Sequence, residues 1–265
     1  IEALINNRTK LIVPVHYGGV ACEMDTIMSI ASRHNLLVIE DSAQAIGSKY
    51  KGSALGTIGD LGAFSFHETK NIISGEGGAL SINNPDYQDR ADILREKGTN
   101  RKAFLEGQVD KYTWVDQGSS FAPSELMAAF LFAQIEKFDE IFEMRKQVYT
   151  QYHNELEHLE KKAVLRRPVV LEESAGNYHN YFILLNSAEQ RQMLMDYLSA
   201  RSIMSVFHYI PLHTSPMGLS MGNRENSLPV TEDLAGRLLR LPFYNTLGES
   251  DIHKITGHIR EYFEQ

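Results

Sequence analysis

LIVPVHY (11–17), EMDTIMSIASRHN (23–35) and LLVIE (36–40) read in succession as strand, helix and strand. The outer two are short apolar runs rich in β-branched residues, the pattern of strands buried within a sheet. The middle one carries Ile27, Ile30 and Ala31 at helical spacing, with Glu23 or Asp25 near its start. A βαβ unit makes the two strands parallel and the crossover right-handed. LGAFSF (61–66) and GALSIN (78–83) read as two further strands with glycine-rich turns between them. Ligands of such sheets bind beyond the carboxyl ends of the strands. Asp41, just past LLVIE, occupies such a place, and Lys70 lies in the loop after its strand.

Further along, PDYQDRADILREKG (85–98) reads as a helix, with Pro85 in its first turn and Gly98 at its end. A long helical pattern runs from Pro123 to about Leu159, with Leu126, Phe130, Phe138, Ile141, Tyr149, Tyr152 and Leu156 as apolar positions. It is long enough for two helices with a break. YFILL (181–185), a helix around Gln190–Arg201 and IMSVF (203–207) form another α/β alternation, and helices near 231–240 and 251–263 follow. These patterns predict an α/β protein with a large domain over 1–145 and a smaller C-terminal α/β domain over 146–265.

At 265 residues and 43% hydrophobic content, the chain can bury a substantial core. The formal net charge is −8 and the 26 basic residues are scattered, so no basic stripe offers itself to nucleic acid. No apolar run approaches the ~20 residues that span a bilayer. Cys22 stands alone, which excludes an internal disulfide framework and suits a reducing cytoplasm. The ten histidines are too dispersed for a metal cluster. His208 and His213 flank a proline turn at a spacing unlike a helical zinc pair, and read as a loop over a pocket.

Lys70, in HETKN, is either a surface charge or an amine able to condense with an aldehyde and move protons between carbon atoms. The apolar strand before it and the glycine-rich SGEGG (74–78) after it favour the second. Asp41 is either a turn cap or a carboxylate that keeps a heterocyclic nitrogen protonated. Gln44 follows three residues later and faces the same way if the turn is helical. Ser65 is either a satisfied core hydroxyl or a phosphate donor. The ordered pair of Asp41 and Lys70 supplies the two protein groups that pyridoxal 5'-phosphate chemistry needs.

With those residues placed, VIEDSAQAIG (38–47), AFSFHETKN (63–71) and GEGGAL (75–80) resemble, in order and spacing, the cofactor-binding core of the DegT/DnrJ/EryC1/StrS sugar aminotransferases. The likeness continues through ILREKGTNR (93–101) and SELMAA (124–129) to HYIPLH (208–213), nearly the whole chain. It implies the aspartate aminotransferase fold (fold type I), pyridoxal 5'-phosphate as cofactor, and a homodimer with shared active sites. By the same resemblance Lys70 is the lysine that bonds the cofactor, Asp41 pairs with its ring nitrogen, Gln44 contacts it and Ser65 holds its phosphate. His16, Tyr17, His179, Tyr209 and His213 fall near the sugar or cofactor.

VPVHYGGVACEMDTIM (13–28), GQVDKYTW (107–114) and VFHYIPLH (206–213) resemble in particular the members that move the amino group of L-glutamate to C4 of dTDP-4-keto-6-deoxy-D-glucose. Their product feeds enterobacterial common antigen, a surface polysaccharide. Family members that act as dehydratases carry histidine where this chain has Lys70, which argues against that chemistry. Two departures stand out. The family's serine/threonine-rich phosphate turn and ring-stacking aromatic do not occur from Ile1 onward, so residues are expected upstream. GSSFAPS (118–124) replaces a segment in which many members carry an asparagine that reaches the neighbouring subunit's phosphate, and leaves Ser119 or Ser120 to substitute. A chain lacking the upstream part could alternatively act only as a binding or scaffolding module.

Overall fold

The computed structural model describes residues 1–169 and 171–264. The elements run β1 (Leu11–Ile12), α1 (Met24–His34), β2 (Leu37–Asp41), β3 (Lys49–Tyr50), β4 (Ser53–Ala54), β5 (Leu61–Ser65) and β6 (Gly78–Ile82). Four helices follow: α2 (Gln88–Arg95), α3 (Arg101–Leu105), α4 (Glu125–Glu136) and α5 (Phe138–Glu155). Next come α6 (Glu157–Lys161), β7 (Leu165–Arg166), β8 (Ser174–Ala175), β9 (Phe182–Leu185) and α7 (Ala188–Ser199). β10 (Val206–Phe207), α8 (Pro216–Ser220), α9 (Pro229–Arg237), β11 (Leu238–Arg240) and α10 (Glu249–Glu264) complete the order.

Two compact units result. One joins Ile1–Asp139 with Leu171–His179, and the other joins Glu140–Val170 with Asn180–Gln265. A single cut after residue 145 does not describe this division. Residues 171–179 return to the first unit because β8 pairs with β3.

In the first unit the main sheet has the order β1-β2-β5-β6. β1, β2 and β5 are parallel, and β6 is antiparallel to β5. The sheet is therefore mixed and mostly parallel. α1 buries Met24, Ile27, Ile30 and Ala31 on one stripe and ends on Asn35, a left-handed cap at φ 55°. Met24, Ile27 and Ala31 pack with Val38, Ala45, Tyr50 and Leu55. LIVPVHY differs from the expected buried strand. Only Leu11–Ile12 is strand, and exposure alternates along the stretch: Val13 and Val15 face outward while Pro14 and His16 are buried. Pro14 has no N–H to donate to a ladder, and its carbonyl instead accepts the Asp41 N–H at 2.9 Å.

The long helical pattern divides at Lys137. Its apolar positions also divide. Ile141, Tyr152 and Leu156 are buried, whereas Leu126 on α4 is 84% exposed and Phe130 is 50% exposed. α4 is apolar on every side and has no buried residue.

The second unit builds a sheet of order β10-β11-β9-β7, antiparallel at every pairing. Its core gathers Tyr152, Leu156, Ile183, Leu194, Leu198, Leu239, Ile252 and Ile259. The Tyr152 hydroxyl satisfies itself by donating to the Pro242 carbonyl at 2.9 Å. The expected helix over 231–240 is a helix only to Arg237, and Leu238–Arg240 is the strand between β9 and β10. A helical apolar period ran into a strand without a breaker, and the partners of that strand lie far away in sequence.

Candidate active site

Parallel pairing of β2 with β5 sets Asp41 opposite Ala63. Asp41 therefore ends its strand at the same sheet edge where β5 ends in Ser65 and opens into the loop of Lys70. That loop is held tightly. The Phe66 N–H donates to Gly77 O and the Glu68 N–H to Gly75 O, both at 2.9 Å, and the Ser74 N–H donates to Phe66 O at 2.7 Å. Gly78 must remain glycine, since a Cβ there would lie 2.6 Å from Phe64 O.

The polar atoms at this edge are partly committed. Asp41 Oδ1 accepts the Ala43 N–H at 3.0 Å, which orients the carboxylate. Gln44 Oε1 accepts the Gly18 N–H at 2.7 Å, leaving the amide nitrogen as its donor. Ser65 Oγ accepts the His67 N–H at 3.3 Å, and the hydroxyl hydrogen is left to donate. Among the described residues, Asp41 Oδ2 and Lys70 Nζ have no hydrogen bond or ion pair. The ends of β2 and β5 and the segments that follow them thus carry a carboxylate oxygen, an amine, an amide N–H and a hydroxyl that have no further partner among the described residues. Groups of these kinds are ones that pyridoxal phosphate would take, with its ring nitrogen, aldehyde and phosphate.

His16 has a different position from the one expected of a substrate contact. It is fully buried, with Nε2 2.9 Å from Glu40 Oε2 and Nδ1 accepting the Cys22 N–H at 3.2 Å. Both ring nitrogens are used within the chain. Tyr17 next to it is 45% exposed. His179 places Nδ1 2.8 Å from Asn71 Oδ1 in the same unit.

Tyr209 and His213 belong to the second unit. They adjoin a cavity of about 380 Å³ whose lining includes Arg191, His208, Tyr209 and Glu232. The Arg240 guanidinium stands 5.5 Å from the Tyr209 ring centroid. His213 Nε2 lies 2.9 Å from Glu232 Oε1. The His213 ring and the Asn226 N–H hold the Glu232 carboxyl below the usual carboxylate range. Burial and the nearby Arg240 charge push His208 down to about 4.

Sequence reading missed Glu40, which is fully buried yet satisfied four times over. Oε2 faces His16 and accepts the Gly56 N–H at 2.7 Å, while Oε1 accepts from Ile58 at 2.6 Å and Gly59 at 2.7 Å. The only signal was an acidic residue at an inward position of a buried strand.

Residues 1–260 match the family model of the DegT/DnrJ/EryC1/StrS aminotransferases. The chain belongs to that family. Its aminotransferase chemistry and its pyridoxal phosphate cofactor are those expected from the motifs. The GDP-perosamine synthase of Escherichia coli O157:H7 is 33% identical over 267 residues, which are 99% of this chain and 68% of that protein. The dTDP-3-amino-3,6-dideoxy-alpha-D-galactopyranose transaminase of Aneurinibacillus thermoaerophilus is 30% identical over 264 residues, 99% of this chain and 68% of the other. Among solved structures, the aminotransferase TlmJ from Streptoalloteichus hindustanus superposes with a TM-score of 0.86 at 27% identity, over 99% of this chain and 68% of that one. The chain thus spans about two thirds of the length of its relatives. The fold is that of the pyridoxal-phosphate aminotransferases. Among the described residues, no group of three or more His, Cys, Asp or Glu could hold a metal ion, and no helix is long and apolar enough to cross a membrane.

Proposed function

We propose that this chain is a nucleotide-sugar aminotransferase that moves the amino group of L-glutamate to C4 of dTDP-4-keto-6-deoxy-D-glucose. The product would be dTDP-4-amino-4,6-dideoxy-D-galactose, the reaction of dTDP-4-amino-4,6-dideoxygalactose transaminase, made in the cytoplasm for enterobacterial common antigen or a related surface polysaccharide. The observation that supports the reading is that Asp41, at the carboxyl end of β2, and Lys70, in the loop that follows the parallel β5, leave Oδ2 and Nζ without a partner among the described residues.

When bound, pyridoxal phosphate supplies an aldehyde that carries the amino group and a ring that accepts electrons. Asp41 keeps the ring nitrogen protonated by opposing a fixed negative charge to it. The Gln44 amide N–H and the Ser65 hydroxyl orient the group. With the cofactor bound, Lys70 Nζ would take the proton from the α-carbon of glutamate and later deliver one to C4 of the sugar. The tight loop from Phe66 to Gly77 keeps that amine in place between the two transfers.

A homodimer with shared sites is part of this proposal. It is supported by α4, where Leu126, Phe130, Phe132 and Ile135 are exposed on a helix apolar all round, a composition that is normally covered.

The test begins with the visible absorbance of protein supplied with pyridoxal phosphate. Lys70→Ala is expected to abolish it and glutamate to convert it. The 3-keto and 4-keto dTDP-sugars are then offered in competition. The 30% identical relative named for a 3-amino sugar makes the 3-position the second reading. Amination of the 3-keto sugar alone would overturn the C4 assignment.

A further inference from the structure

Asn71 follows Lys70 directly and is only 4% exposed. Its Nδ2 donates to the Asn177 carbonyl at 2.7 Å. Asn177, fully buried, donates from its own Nδ2 to Gln44 O at 2.7 Å and to Ile46 O at 3.0 Å. Two side-chain amides therefore join three segments distant in sequence: the Lys70 loop, the Gln44 turn and residues 177–179. The joint is crowded as well. Tyr178, between Asn177 and His179, is held at φ 54°, a left-handed backbone that a bulky residue keeps only when its surroundings over-determine it.

The orientation of the Asn71 amide has a chemical consequence. A carbonyl oxygen only accepts, so Nδ2 must face Asn177 O and Oδ1 must face His179 Nδ1. Oδ1 also only accepts, so Nδ1 of the imidazole carries the hydrogen. We propose that Asn71 is a positioning residue that holds the Lys70 loop against the Gln44 turn and holds the His179 imidazole with Nδ1 as the nitrogen that donates to it. The first half rests on the assignment of Lys70 and Gln44 to the cofactor. The second half stands on the hydrogen-bond geometry alone.

The experiment is nitrogen NMR of the full chain labelled with [15N]histidine, with the His179 signals identified by their loss in His179→Gln. The wild-type ring is expected to show a protonated Nδ1 near pH 8. Asn71→Ala is expected to shift it toward the Nε2–H tautomer common in free imidazole. Asn71→Asp, which keeps an acceptor, is expected to retain the hydrogen on Nδ1. The dissociation constant for pyridoxal phosphate is measured on the same proteins, and both variants are expected to weaken it by roughly tenfold, the loss of one net hydrogen bond. An Nε2–H tautomer in the wild type overturns the proposal whatever the cofactor does. Unchanged cofactor affinity in both variants overturns the positioning half. Failure of the wild type itself to bind pyridoxal phosphate would instead strike the proposed function and leave the tautomer result standing.

Discussion

Glutamine in place of Glu40 is the sharpest perturbation available beneath the site. The substitution conserves shape, so it opens no cavity, and its cost is electrostatic. Whichever way the new amide turns, its NH2 faces two N–H donors: Ile58 and Gly59 on one side, Gly56 and His16 on the other. His16 cannot respond by moving its proton, because Nδ1 already accepts the Cys22 N–H. Two hydrogen bonds to a charged group are lost, at about 1.5–3 kcal/mol each, so Glu40→Gln is expected to cost about 3–6 kcal/mol. Against a typical domain stability of about 5–15 kcal/mol this is a large fraction. Urea unfolding at pH 7 measures it as a drop in midpoint with the slope unchanged. A loss under about 1 kcal/mol would refute the bonding described, since none of the four donors could then depend on the charge.

The pH dependence of that same difference is a second arm. Burial pushes the Glu40 carboxyl up, but the His16 ring and the Gly59, Gly56 and Ile58 N–H groups outweigh it and hold the group below its usual 4.5. A depressed folded value contributes stability that is full above the unfolded value and is lost as pH falls through the folded one. The gap between wild type and Glu40→Gln is therefore expected to narrow below pH 4.5, and a constant gap would contradict the assignment.

Gly19→Ala would place a Cβ 2.0 Å from Asn177 Oδ1 at φ +79°. Backbone strain of about 1–3 kcal/mol is shared with Gly107→Ala, at φ +73° in open space, so the clash should make Gly19→Ala the more costly of the two when they are compared by thermal melting. Leu194→Ala in the second unit's core is expected to cost about 2–5 kcal/mol and to lower amide-exchange protection in β9 and α7. His208, pushed down to about 4, should make wild type lose stability as pH falls from 6.5 toward 4, and His208→Gln should flatten that slope in a series of melting curves. Lys70→Ala is expected to lower transamination by a factor on the order of 100 or more while leaving the melting temperature nearly unchanged.

Local pattern carried most of the first unit and little of what surrounds its site. α1 was legible because Ile27, Ile30 and Ala31 repeat at helical spacing, and β2 because LLVIE is too short and apolar to be anything but a strand. The places of Asp41 at the end of β2 and of Lys70 in the loop after β5 were legible from the order of the strands. Glu40 was not, because its donors lie 16 to 24 residues away in sequence and a carboxylate inside a strand announces no partner. Asn71 and Asn177 meet across 106 residues, a pairing no local pattern encodes. β11 was hidden for a related reason: Leu238–Arg240 continues the apolar period of α9, and only its non-local pairing with β9 and β10 makes it a strand. Leu126 and Phe130 erred the other way, since apolar spacing states which residues need cover but not where the cover comes from.

The convergence of Asp41 and Lys70 follows from strand direction. β2 and β5 are parallel, so their carboxyl ends share an edge. β6 is antiparallel to β5, so the connection from Phe66 to Gly77 must begin and end at that same edge. The whole connection, Lys70 included, therefore leaves and rejoins the sheet at the edge where β2 ends in Asp41. The connection is closed tightly, by the backbone bonds to Gly75 and Gly77 and by the Gly78 contact with Phe64 O, while the lysine it carries has no ion pair among the described residues. An ordinary surface lysine on a rigid turn beside a half-buried carboxylate would gain by pairing with it. Here the Ala43 N–H turns Asp41 instead, and Lys70 forms no ion pair with it.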